Sequence, residues 1–192
     1  MNATSGPATS ERRAMEAKLE QLHAASFAWA LQCCRGDRSE AEDLLQSVYL
    51  KILEGRARFD NRAGFKTWLF AVIRNSAMDM KRRVFRKLRA LNKLFTERVP
   101  ADRGPEDDLE SRETRSSIGM ALDRLPERQR EVLRLVFYHD LSVQQASEVM
   151  GLSVGAARVH YERGKANLRR ELERFEVRYV HGDRRKAHQR AV

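Results

Sequence analysis

The stretch "SVGAARVHYERGK", residues 153–165, begins with almost no side chains and then turns basic. Gly155, Ala156 and Ala157 come first, followed by Arg158, His160, Arg163 and Lys165. A helix that starts so bare can approach a large, flat, negatively charged surface. Its free amides and positive dipole end favour a phosphate there, and Ser153 stands at the same end. Arg158 carries the fork needed to bond a guanine edge twice, while Arg163 and Lys165 suit phosphates or bases further along. This is the chemistry of recognition. The five histidines, at 23, 139, 160, 181 and 188, have no ligand spacing, and neither HExxH nor a phosphate-binding glycine loop occurs. No catalytic residue, metal site or cofactor is therefore expected. Cys33 and Cys34 are adjacent, which suits neither a disulfide framework nor a metal. They read as small buried hydrophobes, with an oxidant sensor as the alternative.

A recognition helix needs a supporting one. Ser142 and Gln145 have the spacing of a capping box, and Ala146, Val149 and Met150 then lead to Gly151. Helix, glycine turn and basic helix make a helix-turn-helix, whose second helix enters the DNA major groove. Its inward stripe is Val154, Ala157, Tyr161, Leu168 and Leu172; Arg158, Val159, Glu162 and Arg163 face out. Arg158 and Glu162 are also spaced for an ordinary surface pair. Upstream, a helix near 111–124 precedes "PERQREVLRLVF", where Pro126 suits a first turn and Val132, Leu133, Val136 and Phe137 are apolar. The last helix is expected to run to about residue 175.

The N-terminal half is helical too. A first helix is expected over 11–35. A second starts with Ser39 and Glu42 as a capping box, follows the stripe Ala41, Leu44, Leu45, Val48, Tyr49, Ile52 and Leu53, and stops at Gly55. After the loop "RFDNRAGF" a third helix runs from Phe65 towards residue 95. Nothing reads as a strand. The expected fold is all-α, two small helical domains joined by a flexible linker, the second containing the helix-turn-helix. The expected boundaries are a disordered leader 1–13, a first domain 14–98, a linker 99–117, a second domain 118–177 and a basic tail 178–192.

Charge supports that division. Residues 37–54 carry a net −3, residues 81–98 a net +7, and residues 99–117, with Pro100, Gly104 and Pro105, a net −3. The whole chain of 192 residues is 33% charged with a net +10, which points to a polyanion. The longest apolar run, "WLFAVI" at 68–73, is far short of the roughly 18 residues of a span. The first residues lack the apolar core of a signal peptide, so no membrane insertion and a cytoplasmic location are expected.

Residues 125–172 strongly resemble the promoter −35-reading domain (region 4) of bacterial sigma factors. "SEAEDLLQSVYLKIL" (39–53) and "RFDNRAGFKTWLFAVIRNSAMDMKRR" (58–83) look like their region 2. The order and spacing match the two-domain extracytoplasmic-function (ECF) type over roughly residues 14–175. The resemblance implies a transcription initiation factor that binds core RNA polymerase, selects a −35/−10 promoter and helps to open the −10 segment. Partners implied are the clamp helices of the largest subunit, the flap of the second-largest subunit, promoter DNA and an anti-sigma factor. Asp43, Leu44, Gln46 and Tyr49 fall where that family docks on the clamp helices. The loop at Phe59 falls where it captures an unstacked −10 base: Phe59 supplies a wall or stacking surface, Asn61 can read base edges, and Arg62 and Lys66 can follow phosphates. Arg74 and Asn75 fall at the same site, and Asn75 at the position that also reads the base. Lys81, Arg82 and Arg83 suit the backbone just upstream. Ser153, Arg158, His160, Arg163 and Lys165 fall on the −35 helix. There the chain departs from the usual Thr-Val-Lys/Arg-Ser-Arg, with Val159 and His160 offering fewer hydrogen bonds, so an unusual promoter or weaker −35 contacts are expected. The competing readings are a stand-alone helix-turn-helix regulator, which needs neither the docking block nor the capture loop, and a DNA enzyme, which needs a carboxylate cluster or activated nucleophile.

Overall fold

The computed structural model describes residues 7–94 and 117–189, all of the described secondary structure being helical. The chain divides into two compact units, the main boundary falling between Val99 and Pro100. The expected linker lies almost wholly outside the described residues, as do residues 1–6.

The first unit holds α1 (Pro7–Gln21), α2 (His23–Cys33), α3 (Arg38–Leu53) and α4 (Phe65–Leu94). α2 packs on α3 and α4, α3 also packs on α4, and α1 lies against α2 and α3. Most of the apolar stripe of α3 is buried as its spacing predicts: Ala41, Leu44, Leu45, Val48 and Ile52 lie in the core with Trp29 and Ala30 of α2 and Leu69, Phe70, Ile73 and Ala77 of α4, while Tyr49 and Leu53 are half-buried. At the centre Trp29, 2% exposed, stacks on Phe70 with ring centroids 5.8 Å apart, and its Nε1–H donates to the Phe70 carbonyl at 3.1 Å.

Three boundaries differ from expectation. The single helix expected over 11–35 is two, starting already at Pro7 and jointed at Leu22 (φ −98, ψ 4), where no glycine or proline announces a break. The Leu22 carbonyl still accepts from the Ser26 amide at 2.8 Å, so the chain turns without losing its ladder. The cap of α3 is Asp37, whose carboxylate accepts from the Glu40 amide at 2.8 Å, and Ser39 sits inside the first turn. A carboxylate also complements the dipole of the helix start, which a hydroxyl does not. Gly55 does end α3: at φ +71 its amide bonds Ile52 O and the Arg56 amide bonds Lys51 O, the paired bonds of a Schellman turn.

The second unit holds α5 (Ser117–Asp123), α6 (Glu127–Phe137), α7 (Val143–Met150) and α8 (Val154–Gln189). α6 and α5 pack on α8. Leu122, Leu125 and Leu133 form a buried cluster against Tyr161 and Leu168. Leu135, not Phe137, completes the buried side of α6; Phe137 is exposed. α8 continues beyond residue 175 through most of the stretch expected to be a tail.

The α6–α8 approach is set by Gly164. A Cβ there would stand 3.1 Å from Leu133 Cδ1 and 3.3 Å from Gln129 Cβ. Leu133 is fully buried and cannot swing away. Gly164→Val is therefore expected to destabilise the second unit by about 1–3 kcal/mol through overpacking, despite the better helix propensity. A lower denaturation midpoint in far-UV circular dichroism is the check; an unchanged midpoint means the helices can part at no cost.

Candidate nucleic-acid interface

The helix-turn-helix is built by short-range hydrogen bonds. The Ser142 amide donates to Gln145 Oε1 at 2.8 Å and the Gln145 amide to Ser142 Oγ at 3.1 Å, the reciprocal capping box that starts α7. Gly151 at φ +63 turns the chain, with the Leu152 amide bonded to Ser147 O at 2.9 Å. Ser153 then caps α8: its Oγ accepts from the Ala156 amide at 3.2 Å. One of the amides expected to be free for a phosphate is thus satisfied internally. Ala157 is fully buried, as its small size suggests, whereas a Cβ on Gly155 would meet nothing within 4 Å. Among the described residues nothing packs closely on Gly155, so any demand for smallness there comes from outside the unit.

Arg158, Val159, Glu162 and Arg163 are exposed along α8 and His160 and Lys165 are half-buried. Ser153 to Lys165 spans about 18 Å of helix at 1.5 Å per residue. Glu162 pairs with Lys165 at 3.0 Å rather than with Arg158, and the Lys165 ammonium also lies 4.6 Å from the Tyr161 ring centroid. Arg158 keeps its fork available. Lys165 has to leave a partly exposed pair, worth about 0–1 kcal/mol, before it can touch DNA.

In the first unit the loop between α3 and α4 brings three rings together. Phe59, Phe65 and Trp68 have centroids 5.2–5.4 Å apart and are each half-buried. Beside them Asn61 is exposed at φ +58, held by an Asp60 carboxylate that accepts from the Arg62 amide at 3.2 Å and pairs with the Arg62 guanidinium at 3.4 Å. Lys66 lies 5.8 Å from the Phe70 ring centroid. Lys18 of α1, with no sequence motif to single it out, reaches two of these rings, Phe59 and Phe65.

Asn75 is exposed, seven residues beyond Trp68 and so on the same face of α4, about 10 Å further along. Arg82 repeats the interval. Arg74 is only 8% exposed, so its expected place among the DNA-contacting residues is corrected: the helix turns it inward. Lys81 is exposed, and its ammonium donates to the Cys33 carbonyl at 2.8 Å, satisfying the end of α2; it has to leave that bond before it can reach a phosphate. Arg82 lies 3.6 Å from Asp79, and Arg83 is exposed.

On α3, Asp43 and Gln46 are exposed. Leu44 is fully buried, so its side chain holds the helix and cannot reach a partner, a correction to the docking set. Tyr49 is half-buried with its hydroxyl 3.3 Å from His23 Nδ1, and burial raises its pKa. The structure adds Ser47 and Leu50 to the exposed face, at i+4 and i+7 from Asp43. Leu50, 49% exposed, was legible only as an apolar residue off the stripe. Elsewhere, burial and then the Glu40 carboxylate push the Cys34 thiol up to about 12, which disfavours the reactive thiolate. Among the described residues no group of three or more His, Cys, Asp or Glu could hold a metal, and no helix is long and apolar enough to cross a membrane.

Residues 19–87 match the family described as Sigma-70 region 2 and residues 115–168 the family described as Sigma-70, region 4. The chain is 30% identical to the ECF RNA polymerase sigma factor SigX of Bacillus subtilis over 71% of this chain and 73% of that protein. It is 31% identical to the RNA polymerase sigma factor CarQ of Myxococcus xanthus over 71% and 77% respectively. Among solved structures it is similar to the sigma factor RpoE of Bartonella quintana, with 25% identity, a TM-score of 0.63 and coverage of 84% of this chain and 98% of that one. The two motif blocks, in this order and on these helices, therefore place the chain in the extracytoplasmic-function RNA polymerase sigma factors, transcription initiation factors that direct the polymerase to promoters.

Proposed function

We propose that the first unit docks on the clamp helices of the largest polymerase subunit through the exposed face of α3, with Asp43, Gln46, Ser47 and Leu50, while Tyr49 supports it from the flank. The same unit takes one unstacked −10 base against the Phe59, Phe65 and Trp68 rings, with Asn61 and Asn75 reading its edge and Arg62, Lys66, Arg82 and Arg83 following the strand. The second unit reads the −35 element with Arg158, and Ser153, His160, Arg163 and Lys165 position it. Exposed Phe137 and Tyr138 at the end of α6 offer an apolar surface to the flap of the second-largest subunit. The factor acts in the cytoplasm, with no catalysis of its own, and is restrained by an anti-sigma factor; in support, the Bartonella relative was solved with the anti-sigma factor NepR. The observation that carries the reading is one face of α4, on which Trp68, Asn75 and Arg82 follow at intervals of seven residues. A stand-alone regulator has no use for such a face.

Run-off transcription with bacterial core polymerase on DNA from upstream of its own gene is the test. A defined transcript is expected with this protein and not without it. Asp43→Arg with Gln46→Ala is expected to reduce it about tenfold or more, the scale of lost interface anchors. Tight binding to that duplex without polymerase, together with no joining to core, would overturn the docking assignment.

A further inference from the structure

Lys18 belongs to neither motif block that carries the resemblance, yet its ammonium lies 6.0 Å from the Phe59 ring centroid and 5.5 Å from that of Phe65. Those two ring contacts are what it makes among the described residues, and no carboxylate there holds it. The residue is exposed, and the rings beneath it are half-buried. An exposed cation–π contact is weaker than a hydrogen bond between charged groups. The lysine therefore sits on the rings at low cost, ready to be drawn off by a better partner. On the loop, the Asp60 carboxylate is paired with Arg62 at 3.4 Å. A base arriving on the Phe59 face competes with the ammonium for the same π surface and brings a phosphate with it.

Resting on the base-capture reading above, we propose that Lys18 is a placeholder cation: it covers the Phe59 and Phe65 faces in the free protein and moves to a backbone phosphate of the captured nucleotide when the base enters. It is thus a further strand-positioning residue of the −10 site, contributed by α1 from outside the loop. It favours the opened strand over the duplex, because only an unstacked base displaces it.

The test uses holoenzyme formed with the full chain, on the promoter found by run-off, with 2-aminopurine in the −10 segment to report opening. Lys18→Met keeps the stem on the rings and removes the charge; Lys18→Arg restores it. Lys18→Met is expected to lower the opened fraction several-fold and to reduce the salt slope of opening by about one, the signature of one lost phosphate contact. Closed binding should be little changed, and Lys18→Arg should recover the opening. An opening defect in Lys18→Met with an unchanged salt slope and a lowered melting temperature overturns the proposal in favour of ring support alone. Asn75→Ala separates the two levels of the argument. If it impairs opening while Lys18→Met does not, the placeholder falls and base capture stands; if both are silent, base capture falls as well.

Discussion

Trp29→Ala is expected to cost the first unit about 3–5 kcal/mol, the range for truncating a large buried aromatic. The indole is 2% exposed and stacks almost parallel to Phe70, at an interplanar angle of 7°. Its N–H bond to the Phe70 carbonyl is lost as well, although that carbonyl lies within a helix and keeps its ladder. Most of the effect is the cavity left between α2 and α4, whose walls are helices tied to α3 and not free to collapse. A loss of that size is a large part of the stability of a small domain. The variant is expected to lose promoter-directed transcription at growth temperature although no functional side chain has changed. The chain has two tryptophans, so Trp68 remains as a fluorescent reporter for denaturant unfolding. A shift worth less than about 1 kcal/mol would show that the indole is not the keystone of the packing.

Arg158→Ala is the largest expected effect on recognition. Its guanidinium is exposed on the outward face near the start of α8, and Glu162, its possible partner by spacing, is taken by Lys165. One bidentate contact to a base discriminates by about 1–3 kcal/mol, a factor of roughly five to 150. Holoenzyme binding to a library of −35 sequences is expected to lose that factor on the preferred sequence and to relax at one base position. Arg158→Lys keeps the charge without the fork and should restore affinity while leaving specificity relaxed. If Arg158→Ala weakens every sequence equally, the residue holds a phosphate and the base reading passes to another side chain. Arg163, exposed one and a half turns further on, is the first to examine.

These expectations rest on features of unequal visibility in the sequence. The capping box of Ser142 and Gln145 and the turns at Gly55 and Gly151 are legible because the chemistry is complete within a few residues. The buried stripe of α3 is legible for a related reason: its period is that of the helix itself. Asp37 and Ser39 could each cap α3, and spacing alone does not choose between a carboxylate and a hydroxyl two residues apart. The joint at Leu22 has no local cause, since α1 and α2 are aimed by what they pack against. Motif position put Leu44 and Arg74 in a functional set without saying which way a side chain points, and the folded helices turn both inward. Lys81 and Lys18 are the reverse case. Each acts across the unit, on the end of α2 and on the rings of the loop, so neither partner is visible in a linear reading. Long basic side chains are the hardest to place from sequence, because their reach exceeds the spacing of the patterns used to find them.

The uninterrupted run of α4 through the candidate −10 site has a metrical consequence. Trp68, Asn75 and Arg82 stand about 10 Å apart along one rod, so the backbone positions that carry the ring and the proposed reading group and charge are fixed. A wrong base is a penalty paid in contact energy, and a strong promoter elsewhere can offset it. An extra base pair between the captured base and the upstream backbone is a different kind of error. It displaces the phosphates by about 3.4 Å and rotates them by about 35° around the duplex, and a helix neither stretches nor twists to follow. A factor that captures its base as proposed above is expected to behave as a calliper, lenient about letters and strict about distance.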